Sequence, residues 1–431
     1  MRRKLLKAGL IIIVVLLFSA AALYGYFKLC MDPYRGTVRK MTPSLNLNET
    51  LSKEDALEDL AYLMECLRER HPAWLDGSGK DVLAEKQYEK ELASINDQIS
   101  VLELWQSASR IAAALHDGHT FINWYGNEYR YIDDFTAIRT YGRPLTINGI
   151  PSEDVLAAYR EVFSYETDYY AEASFWQNVI IGEETLQLCG IDTSDGVVMS
   201  FNVDGTDSEL HFDFVTLDKV KGWQPSDMTG KWVTYQIDRE NSLGIFTLTS
   251  CTCNDEYYSV LDDFFGKVFT EGIKNIAVDL RGNGGGNSWV ANEFIKYLDV
   301  AEFRGFDSAV RYGCYLVKNE NVTYKNQKKK QVFNGNLYVL TDTWTYSSAM
   351  DFAMLIADND LGIIIGQPSG NLPDGYGDCL SFQMPHSGLA MGISYKKWYR
   401  VDQTRAGEPL MPDVQTASEK ALEKVYELIQ H

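Results

Sequence analysis

The sequence predicts an α/β protein: a strand–helix core over residues 236–431, preceded by an N-terminal helical bundle and a small, mostly-β module. Three observations predict it. From about Tyr235 short apolar runs of strand length alternate with longer amphipathic ones, the pattern of parallel strands joined by crossover helices. Residues 51–130 instead repeat apolar side chains at three- and four-residue spacing. Residues 131–235 carry short runs broken by Asn-Gly and Asp-Gly pairs, the two-residue turns of hairpins. The chain has 431 residues, enough for two or three such units and a substantial core.

In chain order, the first element is apolar. Residues 8–27, AGLIIIVVLLFSAAALYGYF, run for 20 positions without a charge, enough to span a hydrocarbon core of roughly 30 Å. Arg2, Arg3, Lys4 and Lys7 precede it, so the positive-inside bias keeps the N-terminus in the cytoplasm and exports the rest of the chain. The small residues Ser19–Ala22 also suit a cleaved signal peptide. The length of the run and its bulky end at Tyr24, Tyr26 and Phe27 favour an uncleaved anchor over residues 1–30. A lipoprotein signal fits less well, because Phe27-Lys28-Leu29 before Cys30 lacks small residues. All three readings place the bulk of the protein outside the cytoplasm, held at the cell membrane by a single pass in the anchor reading.

The net charge is −20, and since the basic head sits in the first seven residues, the remainder is more acidic still. Such a field repels phosphate backbones and argues against nucleic acid as a partner. Seven cysteines, an odd and scattered set, make no disulfide framework. Cys251 and Cys253 could form a redox or metal pair, but alternate residues of one strand are more simply two half-buried side chains.

Residues 31–50 read as a polar linker. Ser52 then opens an amphipathic helix, with Leu57, Leu60, Ala61, Met64 and Leu67 on one face, that stops at His71-Pro72. A second helix is predicted over about Asp81–Leu92. A third comes after Ser100, carries Val101, Leu104, Trp105, Ala108, Ile111, Ala112 and Leu115 at helical spacing, and ends at Gly118. In the β module, Pro144–Ser152 reads as a strand, an Asn148-Gly149 turn and a helix capped by Ser152, and Val203-Asp204-Gly205-Thr206 as a hairpin turn. Its helix-after-turn pattern is loosely PDZ-like. The core then offers a strand at Leu243–Leu248, a helix at Tyr257–Phe269 and a buried strand at Ile276–Leu280. A glycine loop leads into a helix at Asn287–Leu298. Beyond it come a strand at Leu337–Leu340, a helix at Ser347–Ala357 and a strand at Gly362–Ile365.

Four places could carry chemistry. Ser347 stands at the first turn of a helix, where free N–H groups and the helix dipole favour negative charge; the same place suits a plain N-cap. Asp279-Leu-Arg-Gly-Asn-Gly-Gly-Gly286 lets backbone N–H groups face a ligand. It has neither the Gly-x-Gly-x-x-Gly spacing from Gly282 nor a Walker lysine, leaving an oxyanion hole or an ordinary turn. His119 lies just past a helix end, where it could serve as a general base. With His116 at i, i+3 it could bind zinc, although no third ligand is near in sequence. Glu408, in Arg405–Asp413, could orient an imidazole or be an exposed loop residue.

Together these elements resemble the S41 serine peptidases, a family that includes tail-specific (carboxyl-terminal processing) and tricorn-like core proteases. Leu115-His-Asp-Gly-His-Thr120 is similar to the family's Leu-x-Asp-Gly-His-Thr element, whose histidine is the base in the tricorn-like branch. Val278–Gly286 is similar to its Asp-Leu-Arg-x-Asn-x-Gly-Gly signature. Thr345–Ala353 resembles Thr-x-Ser-x-Ala-Glu-x-Phe-Ala, whose serine is the nucleophile. Ile365–Gly370 and Pro412-Asp413 match later elements of the family pattern. The chain departs at Met350, which replaces the family glutamate. It also lacks the lysine base of the tail-specific branch, since no lysine occurs between Ser347 and Lys396.

The resemblance implies a crotonase/ClpP-like ββα spiral core and a serine endopeptidase acting on polypeptides, unstructured or hydrophobic C-terminal tails among them. In that reading Ser347 attacks, His119 takes its proton and Glu408 orients His119. Backbone N–H groups of Gly284 or Gly285 and of Ser348 would hold the oxyanion, and no metal or cofactor is required. Tyr376, Trp398 and Tyr399 either line a peptide groove or belong to the core. The rival from another class is a catalytically inactive S41-fold protein that binds peptides at the surface. An esterase is weaker, because no Gly-x-Ser-x-Gly elbow surrounds Ser347.

Overall fold

The computed structural model of the chain describes residues 2–224 and 230–430. The side chains of residues 2–6 and 8, including Arg2, Arg3 and Lys4 of the basic head, lie outside the described set. The apolar run forms a helix over Arg2–Tyr26 that continues through Phe27–Met31. Over Gly9–Met31 it is long and apolar enough to cross a bilayer.

The core is a six-stranded sheet. Its order is Val233–Asp238, Leu243–Leu248, Asn275–Asp279, Asn336–Thr341, Ile363–Gly366 and Val414–Gln415, antiparallel for the first pair and parallel thereafter. Side chains alternate between its faces with the strand period of two. Phe246, Val278, Val339 and Ile364 sit in register and pack under the helices Asp255–Glu271, Trp289–Ile295 and Ser348–Asp358. Their neighbours Ile245, Ala277, Tyr338 and Ile365 face Ala421 and Val425 of the C-terminal helix Ala421–Gln430. Strands apolar on both sides are what a buried parallel sheet requires.

The predicted N-terminal helices form at Lys53–Arg70, Lys80–Ser94 and Val101–Ala113. Ser52 caps the first through Asp55 N at 3.1 Å, and Ser100 with Glu103 makes a reciprocal capping box on the third. That helix ends at Ala113 rather than at Gly118. The chain leaves it through His116, whose φ is +46°. Gly118 is needed instead for close approach, since a Cβ there would run into the Tyr346 side chain.

Both predicted hairpin turns are present, with positive φ at Asn148, Gly149, Asp204 and Gly205. They serve a four-stranded antiparallel sheet of Ile150–Pro151, Thr146–Ile147, Val197–Val203 and Thr206–Phe212. The module is more helical than expected, with helices at Phe135–Tyr141, Ser152–Val162, Asp168–Ser174 and Glu183–Leu188. Ser152 is the first residue of its helix and gives no capping bond. One apolar core joins the helical bundle, this module and Tyr376–Tyr395, so no break in packing falls at the expected 130/131 boundary. Residues 31–50 are not a free linker either. Val38, Ser44 and Leu45 donate backbone bonds to Ser381, Tyr125 and Ser387, and Leu47 is buried.

A further sheet links the N-terminal part of the chain to the core. Tyr315–Asn319, Asp307–Tyr312, Ala390–Tyr399 and Gly375–Gln383 lie side by side, and the short strand Phe121–Asn123 pairs antiparallel with Ala390–Gly392. That pairing brings the turn before Phe121 to the core.

Candidate active site

Asn275–Asp279 and Asn336–Thr341 are adjacent parallel strands, so the loops leaving their carboxyl ends meet, as ligand-binding loops do in open α/β sheets. Asp342 and Thr345 hold them together. Asp342 Oδ1 accepts from Gly282 N at 3.0 Å and Trp344 N at 2.9 Å. Thr345 Oγ1, buried, donates to Leu280 O at 3.0 Å. Tyr346 N then donates to Asn283 O at 2.9 Å.

The next residue, Ser347, has φ +52° and ψ −125° and its side chain makes no capping bond. A side chain in this region of φ,ψ is strained and persists only where its surroundings impose it. Here its N–H is held by Asn371 Oδ1 at 2.7 Å, and Gly285 backs the turn: a Cβ there would lie 2.8 Å from Ser347 Cβ and 2.9 Å from Ser348 N. The strain aims Oγ away from the helix end, which answers the question of cap against exposed hydroxyl.

Across the cleft, Asp117 is fully buried. Its Oδ1 accepts His119 N at 3.0 Å and its Oδ2 lies 3.1 Å from His71 Nε2. His71 Nδ1 accepts from Ala73 N at 3.2 Å, so the proton of that ring is on Nε2 and is donated to Asp117. The burial cost of the Asp117 charge is outweighed by the two histidines and Thr120, and its carboxyl stays well below the usual range. Thr120 Oγ1 accepts from Ser394 N at 3.0 Å, and with the Phe121–Asn123 pairing this sets where His119 points. His119 Nε2 lies 3.2 Å from Ser347 Oγ, across 228 positions of sequence.

The other ring nitrogen, Nδ1, is buried without a hydrogen-bond partner among the described residues. Asp117 Oδ1 and Glu166 Oε1 each stand 3.9 Å from it. Burial pushes the imidazole below its ordinary range, against the pull of Asp117 and Asp378 and of the Tyr376 carbonyl, leaving it neutral at neutral pH. Glu166 accepts from Leu372 N at 3.0 Å and Gly118 N at 3.3 Å, yet burial and the Asp117 charge lift its carboxyl to about 8. Asp117, His119 and Glu166 offer ligand-type atoms within 4.8 Å of one another, close enough to interact electrostatically but not to share a hydrogen bond through Nδ1.

The cavity beside these groups has a volume of about 400 Å³ and is lined by both Ser347 and His119. Of the three aromatics flagged in the sequence, Tyr376 and Trp398 line it and Tyr399 does not. The glycine loop differs in detail from expectation. Gly285 N donates to Asn283 Oδ1 at 2.9 Å and is used inside the loop, and the glycine on the cavity wall is Gly286, next to Ser348, rather than Gly284. Glu408 is a correction. Its side chain is exposed and sits 3.4 Å from Arg405 Nε, in a loop whose Gly407 N donates to Asp374 Oδ2 at 2.8 Å, while the carboxylates beside His119 are Asp117 and Glu166. Asn371, directly after Ile365–Gly370, was within reach of sequence reading. Glu166 carries no local signal, because only the packing of the middle module brings it to the site.

A match to known proteins accords with this geometry. Residues 242–416 match the model of peptidase family S41. Among solved structures, mature CPAF is similar over 88% of this chain and 96% of its own, at 13% identity and a TM-score of 0.61. A candidate peptidase from Parabacteroides merdae is similar over 88% of this chain and 98% of its own, at 16% identity and a TM-score of 0.53. At such identities the likeness is one of fold. No curated protein sequence matches. The family match thus assigns the α/β core, residues 242–416, to the S41 peptidase type, which makes this a serine-type peptidase.

Proposed function

We propose that the protein is a membrane-anchored, extracytoplasmic serine endopeptidase working through Ser347 and His119. The observation that carries this reading is the 3.2 Å approach of His119 Nε2 to Ser347 Oγ, within hydrogen-bond reach of a base for its nucleophile. With His119 neutral and protonated on Nδ1, Nε2 takes the Ser347 proton as Oγ bonds to the substrate carbonyl carbon. The oxyanion is met by backbone N–H groups of Gly286 and Ser348, each donor worth on the order of 3 kcal/mol. His119 passes its proton to the leaving amine as the C–N bond breaks. Water, deprotonated by the same ring, then attacks the acyl carbon, and as the C–Oγ bond breaks the ring returns the proton to Ser347 Oγ.

During each transfer the ring is positively charged, and its Nδ1–H faces the buried anion of Asp117. We assign Asp117 the main supporting role, with Glu166 beside it. Every proton is carried by protein groups or water, so the route needs no cofactor. The apolar Gly9–Met31 segment behind a basic head supports a single-pass anchor, with the catalytic part on the outer side. The βαβ succession around the parallel sheet is in keeping with a crotonase/ClpP-like ββα spiral.

Full-length protein in detergent, incubated with an unfolded protein such as reduced casein, tests the proposal. Cleavage by wild type, and its loss in Ser347→Ala and His119→Ala, is expected. Equal inactivity of wild type and Ser347→Ala, with peptide binding intact, would instead leave a peptide-binding protein.

A further inference from the structure

The cavity wall holds an acid that the catalytic steps do not use. Asp351 lies one turn into the helix Ser348–Asp358, its N–H bonded to Ser347 O at 2.9 Å. It lines the same cavity as Ser347, about 6 Å further along the helix axis. The other titratable groups on that wall are Asp378, Lys396 and the neutral His119. Lys396 Nζ is already committed to Asp378 Oδ2 at 2.5 Å and lies 5.4 Å from the Trp398 ring centre. Among the described residues, Asp351 has neither cation nor hydrogen-bond donor against its carboxyl. Burial and the nearby Asp378 charge lift its pKa to about 7, the behaviour of an acid whose partner is not in the chain.

The wall of the cavity mixes polar groups with apolar ones. Trp289, Met350, Leu372, Pro373 and Trp398 line the cavity, and Met350 is buried. A side chain entering beside Ser347 therefore meets both hydrocarbon and a lone carboxyl. A long alkyl stem tipped with a cation satisfies both. A leucine would bury the acid without a partner, and a glutamate would face like charge.

Resting on the peptidase reading, we propose that Asp351 makes this cavity a subsite for lysine or arginine on the acyl side of the scissile bond. Asp351 is a specificity residue, and Asp378 with Lys396 forms the closed pair that keeps the cavity's remaining charges neutral.

The test uses full-length enzyme in detergent and quenched fluorogenic peptides identical except for Lys, Arg, Leu or Glu at one central position. Mass spectrometry locates the cut and Ser347→Ala serves as the blank. A preference in kcat/KM for Lys and Arg over Leu on the order of 10- to 100-fold is expected. In Asp351→Asn that ratio should fall towards one. Benzamidine, a small planar cation, should compete with the substrate in wild type, a measurement that stands even if the variant folds poorly. Cleavage of the Leu peptide as fast as the Lys peptide, or no competition by benzamidine, overturns the subsite and leaves the peptidase reading intact. If no peptide and no unfolded protein is cut above the blank, both readings fall.

Discussion

Substitution of Glu166 by glutamine separates the two carboxylates that flank His119. Glu166 Oε1 stands 3.9 Å from Nδ1, and its carboxyl is lifted from 4.5 to about 8 by burial first and the Asp117 charge second. Around neutral pH it is therefore an uncharged acid, and Glu166→Gln removes little electrostatic support. Above pH 8 the wild-type group ionises and faces the imidazolium that forms in the transition state. At this separation an effective dielectric of about 20 gives about 4 kcal/mol of attraction. The cavity is open to water and the gap is too long for a hydrogen bond, so at least about tenfold in kcat/KM is the expected remainder. The ratio of wild-type to variant kcat/KM should be near one at about pH 6.5 and rise to ten or more at about pH 9.5.

The same shift has a sign in stability. A carboxyl raised in the folded state stabilises it fully below its unfolded value, and this is lost as pH rises through the folded one. The Glu166 contribution, lost between 4.5 and about 8, is roughly 5 kcal/mol at its upper limit. Glu166→Gln should thus unfold at a higher temperature than wild type above pH 8, and lose this advantage in acid. A wild-type to variant rate ratio that stays flat between about pH 6 and pH 10 would refute the placement of a titrating Glu166 beside the base.

Asn371→Ala removes the acceptor of Ser347 N and leaves a strained residue without its clamp. A loss of about 1–3 kcal/mol should appear mainly in kcat, with KM little changed, in steady-state peptide cleavage. Gly118→Ala should cost about 1–3 kcal/mol by thermal or denaturant unfolding, because its Cβ enters the space of the Tyr346 ring and comes within 3.6 Å of Glu166 Oε1. A fully stable and active Gly118→Ala would mean that the Tyr346 contact is not what demands glycine there.

Legibility from sequence tracked the range of the interaction. The three N-terminal helices and both hairpin turns were readable because caps, periodicity and turn pairs act within a few residues. Ser347, His119 and the glycine loop were readable as motifs. The Glu408 assignment failed because a loop carboxylate's partner depends on where the loop folds back, and Arg405 took it locally. Of the glycines, conformation at 285 serves the packing of Ser347, whereas the residue exposed to the cavity is its neighbour, a difference of one peptide plane that spacing does not encode.

By itself, the sequence determined the alternation of strands and helices, the apolar N-terminal run and the identities of a serine and a histidine fit to act together. Only the tertiary structure decided that they meet, that Asp117 and Glu166 rather than Glu408 stand behind the imidazole, and that Asp351 is left without a partner in the cavity. The physical reason is that helix and turn energies are local, whereas the cost of an unpaired buried charge depends on every segment packed around it.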